Sequence, residues 1–162
     1  MEKNEVTGVL ADHEANNKRI RSFDAISAQL EQMEAAEDNE EWVASKMGSG
    51  RQALEQLAAL LASMHASLER HWAREDEELM PFLRENGQGA FAEKLLAEHK
   101  DVAHRLVEYG AAADKLAGGG MTARGLRRES RTLRYSVIDL FAKLRRHEAQ
   151  EEEIMFTVGH EA

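Results

Sequence analysis

Helix-breaking residues are scarce in this chain and fall in a few short clusters. One proline and 11 glycines punctuate 162 residues, and the long runs between the breaks are rich in Ala, Leu, Glu, Arg and Gln, which favour helices. Pro81 is expected to kink the helix that contains it, or to shorten its last turn. The sequence predicts four helices, over residues 5–36, 51–85, 90–117 and 122–157.

The connections between the last three predicted helices are short, so neighbouring helices should run antiparallel. Apolar residues recur in steps of three and four, as in the second helix at Leu57, Leu61, Met64 and Leu68. Such a stripe is typical of a helix that buries one face in a bundle. The sequence therefore predicts an all-α, up-down antiparallel four-helix bundle, formed by a single domain over residues 1–162.

Composition excludes several classes of function. There are 30 acidic and 21 basic residues, giving a net charge of −9, which argues against a nucleic-acid partner. Cysteine is absent, which excludes thiolate metal sites, disulfides and a cysteine nucleophile. No stretch approaches the roughly 18 apolar residues of a membrane helix, and the acidic, polar start does not resemble a signal peptide. We therefore expect a cytoplasmic protein without a membrane partner.

Polar side chains interrupt the apolar stripe of every predicted helix. Burying several imidazoles and carboxylates without compensation would cost many kcal/mol. A multivalent cation among them would remove that cost. The candidate metal ligands are His13, His71, Glu75, His99, His147 and Glu151.

Four of these candidates form two pairs with the same spacing, His71-x-x-x-Glu75 and His147-x-x-x-Glu151. A spacing of four places both side chains on one helix face, one turn apart. Imidazole and carboxylate without thiolate suit iron or manganese better than structural zinc. Six protein ligands are too many for one ion with open positions and suit two. We predict that Glu75 and Glu151 bridge two ions and that the four histidines are terminal ligands.

The motifs also repeat along the chain. A single histidine stands early in the first and third helices, where His13 follows Asp12 and His99 follows Glu98. A His-x-x-x-Glu motif stands late in the second and fourth helices. This repeat predicts a bundle with two-fold pseudo-symmetry, in which all four motifs meet at one level of the core.

These four elements, in this order, resemble the hemerythrin-like (HHE cation-binding) domain family over nearly the whole chain. The segment Glu77-Glu78-Leu79-Met80-Pro81-Phe82-Leu83 also matches the form common in that family. The resemblance implies a non-haem centre of two iron ions, with an oxo or hydroxo bridge as an option, that binds O2 or related small oxidants. It assigns the ligand roles to His13, His71, Glu75, His99, His147 and Glu151.

One departure from the family bears on mechanism. Family members that carry O2 reversibly have a further histidine one turn after the histidine of the third helix, where this chain has Ala103. His104 lies one residue further, roughly 140° around the helix from His99, and is expected to point outward. The missing imidazole leaves a position for water, another carboxylate or a substrate. Whether His104 or His65 supplies a further ligand is left open.

The leading hypothesis is a di-iron protein that binds or senses O2, NO or peroxide. One alternative is a di-iron enzyme that turns over peroxide or NO, or an iron donor in the repair of iron centres. Another is a metal-free bundle that acts as an interaction protein. No Glu-x-x-His motif occurs, which disfavours a ferritin-type iron site. The sequence leaves open the physiological ligand, the redox partner and the oligomeric state.

Overall fold

The computed structural model describes the backbone of residues 3–36 and 40–161 and the side chains of residues 8–36 and 46–157. Over these ranges the chain is helical, without a strand. None of the described helices is long and apolar enough to cross a lipid bilayer. The helices are α1 (Lys3–Glu34), α2 (Glu40–Glu77), α3 (Leu79–Glu85), α4 (Gly89–Ala117) and α5 (Ala123–Glu161).

The long helices form a closed square of neighbours. Both α2 and α5 pack against α1 and against α4, while α3 continues the leg of α2 and packs on α4. Contacts at both ends show that α1 and α5 run antiparallel, because His13 lies beside Glu151 while Glu34 lies beside Arg134. The predicted all-α four-helix bundle is confirmed.

Helix α2 begins at Glu40, well before the predicted start at residue 51. The stretch Met47–Gly50 falls between the first two predicted helices but lies inside α2. The reason is packing, because a Cβ added at Gly50 would lie 2.8 Å from the Cβ atom of Met33 on α1. Gly50 therefore allows the two helices to approach each other closely, and it does not end either of them.

The second leg of the bundle breaks at Glu78, between the end of α2 and the start of α3. Pro81 has no N–H to donate to the carbonyl of Glu77, so the helical ladder cannot continue through this turn. The break also changes which residues face inward. Glu78, at a position of the apolar stripe, is exposed, and the buried residues of α3 are Leu79, Met80 and Leu83.

The apolar core consists of two clusters, one on each side of a polar layer. The larger cluster fills most of the bundle and includes Leu30, Leu57, Leu61 and Leu106, all nearly inaccessible to solvent. Each such leucine contributes about 1.5–3 kcal/mol to stability. The smaller cluster closes the other end and contains Val9, Leu79, Met80, Leu83, Ala92, Leu95 and Met155.

Candidate metal centre

The six residues predicted as ligands converge in the layer between the two apolar clusters. Each leg of the bundle supplies at least one of them, and each residue has 5% or less of its surface exposed. The structure thus brings together every member of the predicted set, while their role as ligands stays a prediction. They are His13 on α1, His71 and Glu75 on α2, His99 on α4, and His147 and Glu151 on α5.

The six side chains form two groups of four that share both glutamates. One group combines Glu75 and Glu151 with His13 and His71, and the other combines the same glutamates with His99 and His147. Within each group the potential ligand atoms all lie within 4.8 Å of one another. The cluster therefore offers two adjacent cation positions with shared carboxylates.

The first position lies between α1 and α2. The Nε2 atom of His71 is 3.0 Å from Oε1 of Glu75, and the Nε2 atom of His13 is 3.3 Å from Oε2 of Glu151. The two Nε2 atoms lie 3.2 Å apart. Both imidazoles thus present the same ring nitrogen to one point.

The second position lies between α4 and α5 and repeats this arrangement. The Nε2 atom of His147 is 2.7 Å from Oε1 of Glu151, and the Nε2 atom of His99 is 3.3 Å from Oε2 of Glu75. The Nε2 atoms of the two histidines lie 3.0 Å apart. Each glutamate therefore directs one oxygen to each position, which is the geometry that a bridging carboxylate requires.

Carboxylates outside the cluster hold three of the four imidazoles by their other ring nitrogen. A carboxylate only accepts hydrogen bonds, so the Nδ1 atom of each imidazole donates its proton outward. In the neutral imidazole, the form that binds a metal ion, the lone pair on Nε2 then faces the centre. The three Nδ1 contacts are His71 to Asp12 at 3.2 Å, His147 to Glu98 at 2.8 Å, and His13 to Glu152 at 2.9 Å.

This donor set fits a metal ion. When Nε2 of the histidines carries no proton, both carboxylate oxygens of Glu75 and one of Glu151 are buried and have no hydrogen-bond partner. In each half of the cluster two Nε2 atoms face each other at 3.0–3.2 Å. In at least three of the four rings the proton that Nδ1 carries points away from the centre. Converging buried acceptors without donors are costly, and a cation coordinated by all of them removes the cost.

Protons are the competing cations at this site. Burial lowers the pKa values of His13, His71 and His147, but hydrogen bonds and charges from carboxylates outweigh it and raise all three, to about 9 for His147. Burial raises the pKa of Glu151, but the surrounding histidines hold it well below its usual range. A metal ion must therefore displace protons to bind, so its affinity rises with pH.

His99 is held in a different way from the other three histidines. Its ring stacks on the indole of Trp72, with centroids 4.9 Å apart and an interplanar angle of 16°. Trp72 is itself buried. An aromatic contact thus fixes the ring where the other histidines use a carboxylate.

Sequence reasoning missed the roles of Asp12 and Glu98. Each stands directly before the single histidine of its repeat, but its carboxylate contacts the histidine of the next helix along the chain. The signal that could have found them is the acid-histidine pair that occurs in both repeats. Glu152, one of the acids that follow Glu151, contacts His13 while its side chain remains 39% exposed.

A buried carboxylate beside the cluster was also missed. Glu148 has 2% of its surface exposed and accepts hydrogen bonds from Asn16 at 3.1 Å and from Asn17 at 3.3 Å. Burial raises the pKa of Glu148, although the nearby His13 partly opposes the shift. The available signal was Asn16, a polar residue on the apolar stripe of α1.

Neither of the two histidines left open in the sequence joins the cluster. His104 is exposed on α4 and lies 3.9 Å from Glu108. His65 is partly buried on α2 and lies 3.7 Å from Glu69. Both interact with an acid one turn further along their own helix.

Comparison with known proteins agrees with this geometry. A family model described as the hemerythrin HHE cation binding domain matches residues 21–159. No curated protein and no solved structure matches the chain. His13 precedes the matched residues, so its place in the cluster is supported by the geometry alone. Because the match spans most of the sequence, the chain belongs to the hemerythrin HHE cation-binding domain family.

Proposed function

We propose that this protein holds two non-haem iron ions in the buried cluster and binds or senses O2, NO or peroxide there. The observation that carries the proposal is that each shared carboxylate directs one oxygen to each of the two metal positions. Oε1 of Glu75 faces His71 while Oε2 faces His99. In the same way, Glu151 faces His147 with one oxygen and His13 with the other.

The donor set favours iron. Each position offers two imidazole nitrogens and two carboxylate oxygens, without thiolate, a combination that suits iron or manganese. Four protein donors leave about two positions free on a six-coordinate ion, where a small ligand can bind. Bound iron would supply redox chemistry toward O2, NO or peroxide.

The protein's own contribution is to exclude water and to fix the ligands. Leu68, Leu106 and Leu144 lie in the apolar layer on one side of the cluster, and Leu95 and Met155 lie on the other. A dry, apolar surrounding favours an uncharged diatomic molecule over bulk water. The outer carboxylates keep three of the imidazoles oriented, and Trp72 holds the ring of His99, so the site is organised before the small molecule arrives.

A second candidate function is turnover of peroxide or NO by the same centre. It is favoured by Ala103, a small residue one turn after His99, which lines a cavity of about 310 Å³ together with that histidine. Such a space would admit a substrate to the metal. Consumption of peroxide or NO faster than by free iron would support this function, and rates equal to those of free iron would exclude it.

The first test of the proposal is the metal content of the purified protein. Protein purified without chelators should contain about two irons per chain, and anaerobic ferrous protein should change its optical spectrum when O2 or NO is admitted. Glu75→Gln and Glu151→Gln should lose iron, whereas Glu153→Gln, at an exposed position of α5, is the matched control and should keep it. Absence of metal from the wild type would instead support a metal-free interaction protein, and full iron in both variants would refute the bridging assignment.

A further inference from the structure

Arginines recur on one face of the first turns of α5. They follow one another at spacings of three or four residues, which makes their side chains neighbours on the helix surface. The metal cluster does not account for them, because its α5 members, His147 and Glu151, lie much further along the helix. The four residues of this basic face are Arg124, Arg127, Arg128 and Arg131.

The same four arginines line a cleft of about 640 Å³, at the place where α5 begins beside the end of α1. We call it the arginine cleft. Its other lining residues are small, polar or acidic, namely Glu34, Thr122, Gly125 and Thr132. Four guanidinium groups thus border this space together with a single carboxylate. A cleft of this volume accommodates a small molecule, and its charge favours an anion.

The one carboxylate that lines the cleft is already engaged elsewhere. Glu34 is buried and accepts three hydrogen bonds of 2.8–3.2 Å from the buried Arg134. Arg131 approaches Glu34 less closely, with Nε 3.7 Å from Oε2 and a guanidinium nitrogen 3.4 Å from the main-chain carbonyl oxygen. The charge of Glu34 is therefore compensated mainly by Arg134, and it neutralises the lining arginines only weakly.

The other three arginines differ in how they are held. Arg127 donates a hydrogen bond to the main-chain carbonyl of Ala36, just after the end of α1. Arg128 pairs with the adjacent Glu129 at 2.7 Å. Arg124 is exposed and forms no ion pair within the part of the chain whose side chains the structure describes. The cleft thus combines an anchored guanidinium with others that can turn toward a ligand.

This arrangement of charges is unfavourable for the helix itself. Like charges three or four residues apart repel each other, and cations near a helix N-terminus oppose the helix dipole. The first turn of α5 contains no acidic residue that would offset these effects. The arginines therefore do not serve the stability of α5, and a multivalent anion between them would relieve their repulsion.

The net charge of the protein restricts the size of such an anion. At −9 overall, the protein repels an extended polyanion, or a broad acidic protein surface, wherever it reaches beyond the cleft. A compact anion stays among the arginines. Guanidinium groups bind phosphate oxygens with paired, charge-assisted hydrogen bonds, so phosphate groups suit this donor set.

We propose that the arginine cleft binds a small anion that carries two phosphate groups, either the inorganic ion or a diphosphate on a small organic body. The site lies apart from the metal cluster, and it does not depend on the function proposed for that cluster.

The test titrates inorganic pyrophosphate, the probe, into the purified protein in an isothermal titration calorimeter. The salt concentration is about 0.15 M, where attraction between distant exposed charges is largely screened. The wild type should bind with a Kd below about 1 mM. Arg124→Gln and Arg128→Gln each remove an exposed guanidinium from the cleft and should weaken binding at least about tenfold.

Arg145→Gln is the matched control, because it removes the same charge from an exposed position of α5 that lines a different groove. It should bind pyrophosphate as the wild type does. Pyrophosphate held at the metal cluster instead would bind equally well to all three variants, and that result would overturn the proposal. Absence of binding to the wild type would also overturn it.

Two further probes identify the kind of anion. Adenosine diphosphate carries two linked phosphate groups on an organic body, so tighter binding than that of pyrophosphate would support an organic diphosphate, and weaker binding would support the inorganic ion. A polyglutamate peptide should bind more weakly than either. If the peptide bound and pyrophosphate did not, the cleft would be a docking surface for an acidic protein and the proposal would be wrong.

Discussion

The Nδ1 atom of His147 lies 2.8 Å from Oε2 of Glu98, the residue directly before His99. The same relation occurs in the other half of the bundle, where Asp12 lies 3.2 Å from the Nδ1 atom of His71. In each repeat the acid beside the single histidine thus orients the histidine of the neighbouring helix. In both repeats the orienting acid lies on the first helix and the oriented histidine lies on the second.

Removal of the Glu98 carboxylate should weaken metal binding without disrupting the bundle. In Glu98→Ala the imidazole of His147 loses its orienting acceptor, and the affinity for iron should fall about 10- to 100-fold. Competition against a chromophoric chelator measures this affinity. Glu108→Ala, at an exposed position of the same helix, should bind as the wild type does, and an equal loss in both variants would show that the effect comes from α4 as a whole.

The positions of the six clustered residues could be predicted because each is a polar interruption of an apolar stripe. Such a pattern is local to one helix and survives errors in helix ends. The contacts of Asp12 and Glu98 could not be predicted, because each acid faces a histidine 59 or 49 residues away in sequence. Only the packing of the helices brings them together.

The predicted start of α2 was wrong for a related reason. Gly48 and Gly50 lower helix propensity, so sequence alone places a break there. The close contact between Gly50 and Met33 depends on how α1 and α2 pack. In this packing the glycine permits a helix contact and does not mark the end of a helix. The break at Glu78, just before Pro81, could be predicted, because a proline removes a backbone hydrogen bond whatever surrounds it.

The metal-free protein should become less stable as the pH rises from about 6.5 toward 9. Neighbouring carboxylates raise the pKa of His147 from 6.5 to about 9, so its protonated form stabilises the fold fully below 6.5. That contribution is lost as the pH rises through the folded pKa, and it is on the order of 3 kcal/mol. Urea unfolding of chelator-treated protein at several pH values measures the decline.

The matched variants for this pH dependence are His147→Gln and His104→Gln. The first should flatten the decline, since it removes a group whose pKa is raised. The second should not change the curve, because His104 is exposed and distant from the cluster. A stability that rises across this pH range, or a decline that persists unchanged in His147→Gln, would contradict the role assigned to that histidine.

A buried ion pair at the opposite end of the bundle should contribute to stability but not to metal binding. Arg134 donates to Glu34 in three hydrogen bonds of 2.8–3.2 Å, and both residues are less than 10% exposed. Glu34→Ala leaves a buried guanidinium short of its main partner and should destabilise the protein by about 3 kcal/mol. Urea unfolding measures the change, and iron content should not alter.

The control for that prediction is the exposed pair of Arg128 and Glu129, whose charged atoms lie 2.7 Å apart. Glu129→Ala should change stability by less than about 1 kcal/mol, because solvent already screens the interaction. If both variants lowered the free energy of unfolding equally little, the buried pair would contribute no more to stability than an exposed pair.

The two glycines of α2 offer the sharpest comparison of packing with propensity. A Cβ at Gly50 would lie 2.7 Å from Cγ of Met33 and 2.8 Å from its Cβ, whereas a Cβ at Gly48 would meet nothing within 4 Å. Gly50→Ala should therefore cost about 1–3 kcal/mol by overpacking, while Gly48→Ala should gain about 0.5–1 kcal/mol from higher helix propensity. Thermal and urea unfolding of the two variants measure opposite shifts.

A double-mutant cycle identifies the source of the Gly50 effect. Met33→Ala removes the side chain that the new methyl group would strike, so Gly50→Ala should cost less in that background than in the wild type. The coupling energy between the two positions should be at least about 1 kcal/mol, as for residues in direct contact. Additive effects would mean that the methyl group added at Gly50 does not clash with Met33. Shifts of equal sign at Gly48 and Gly50 would mean that helix propensity alone governs this turn.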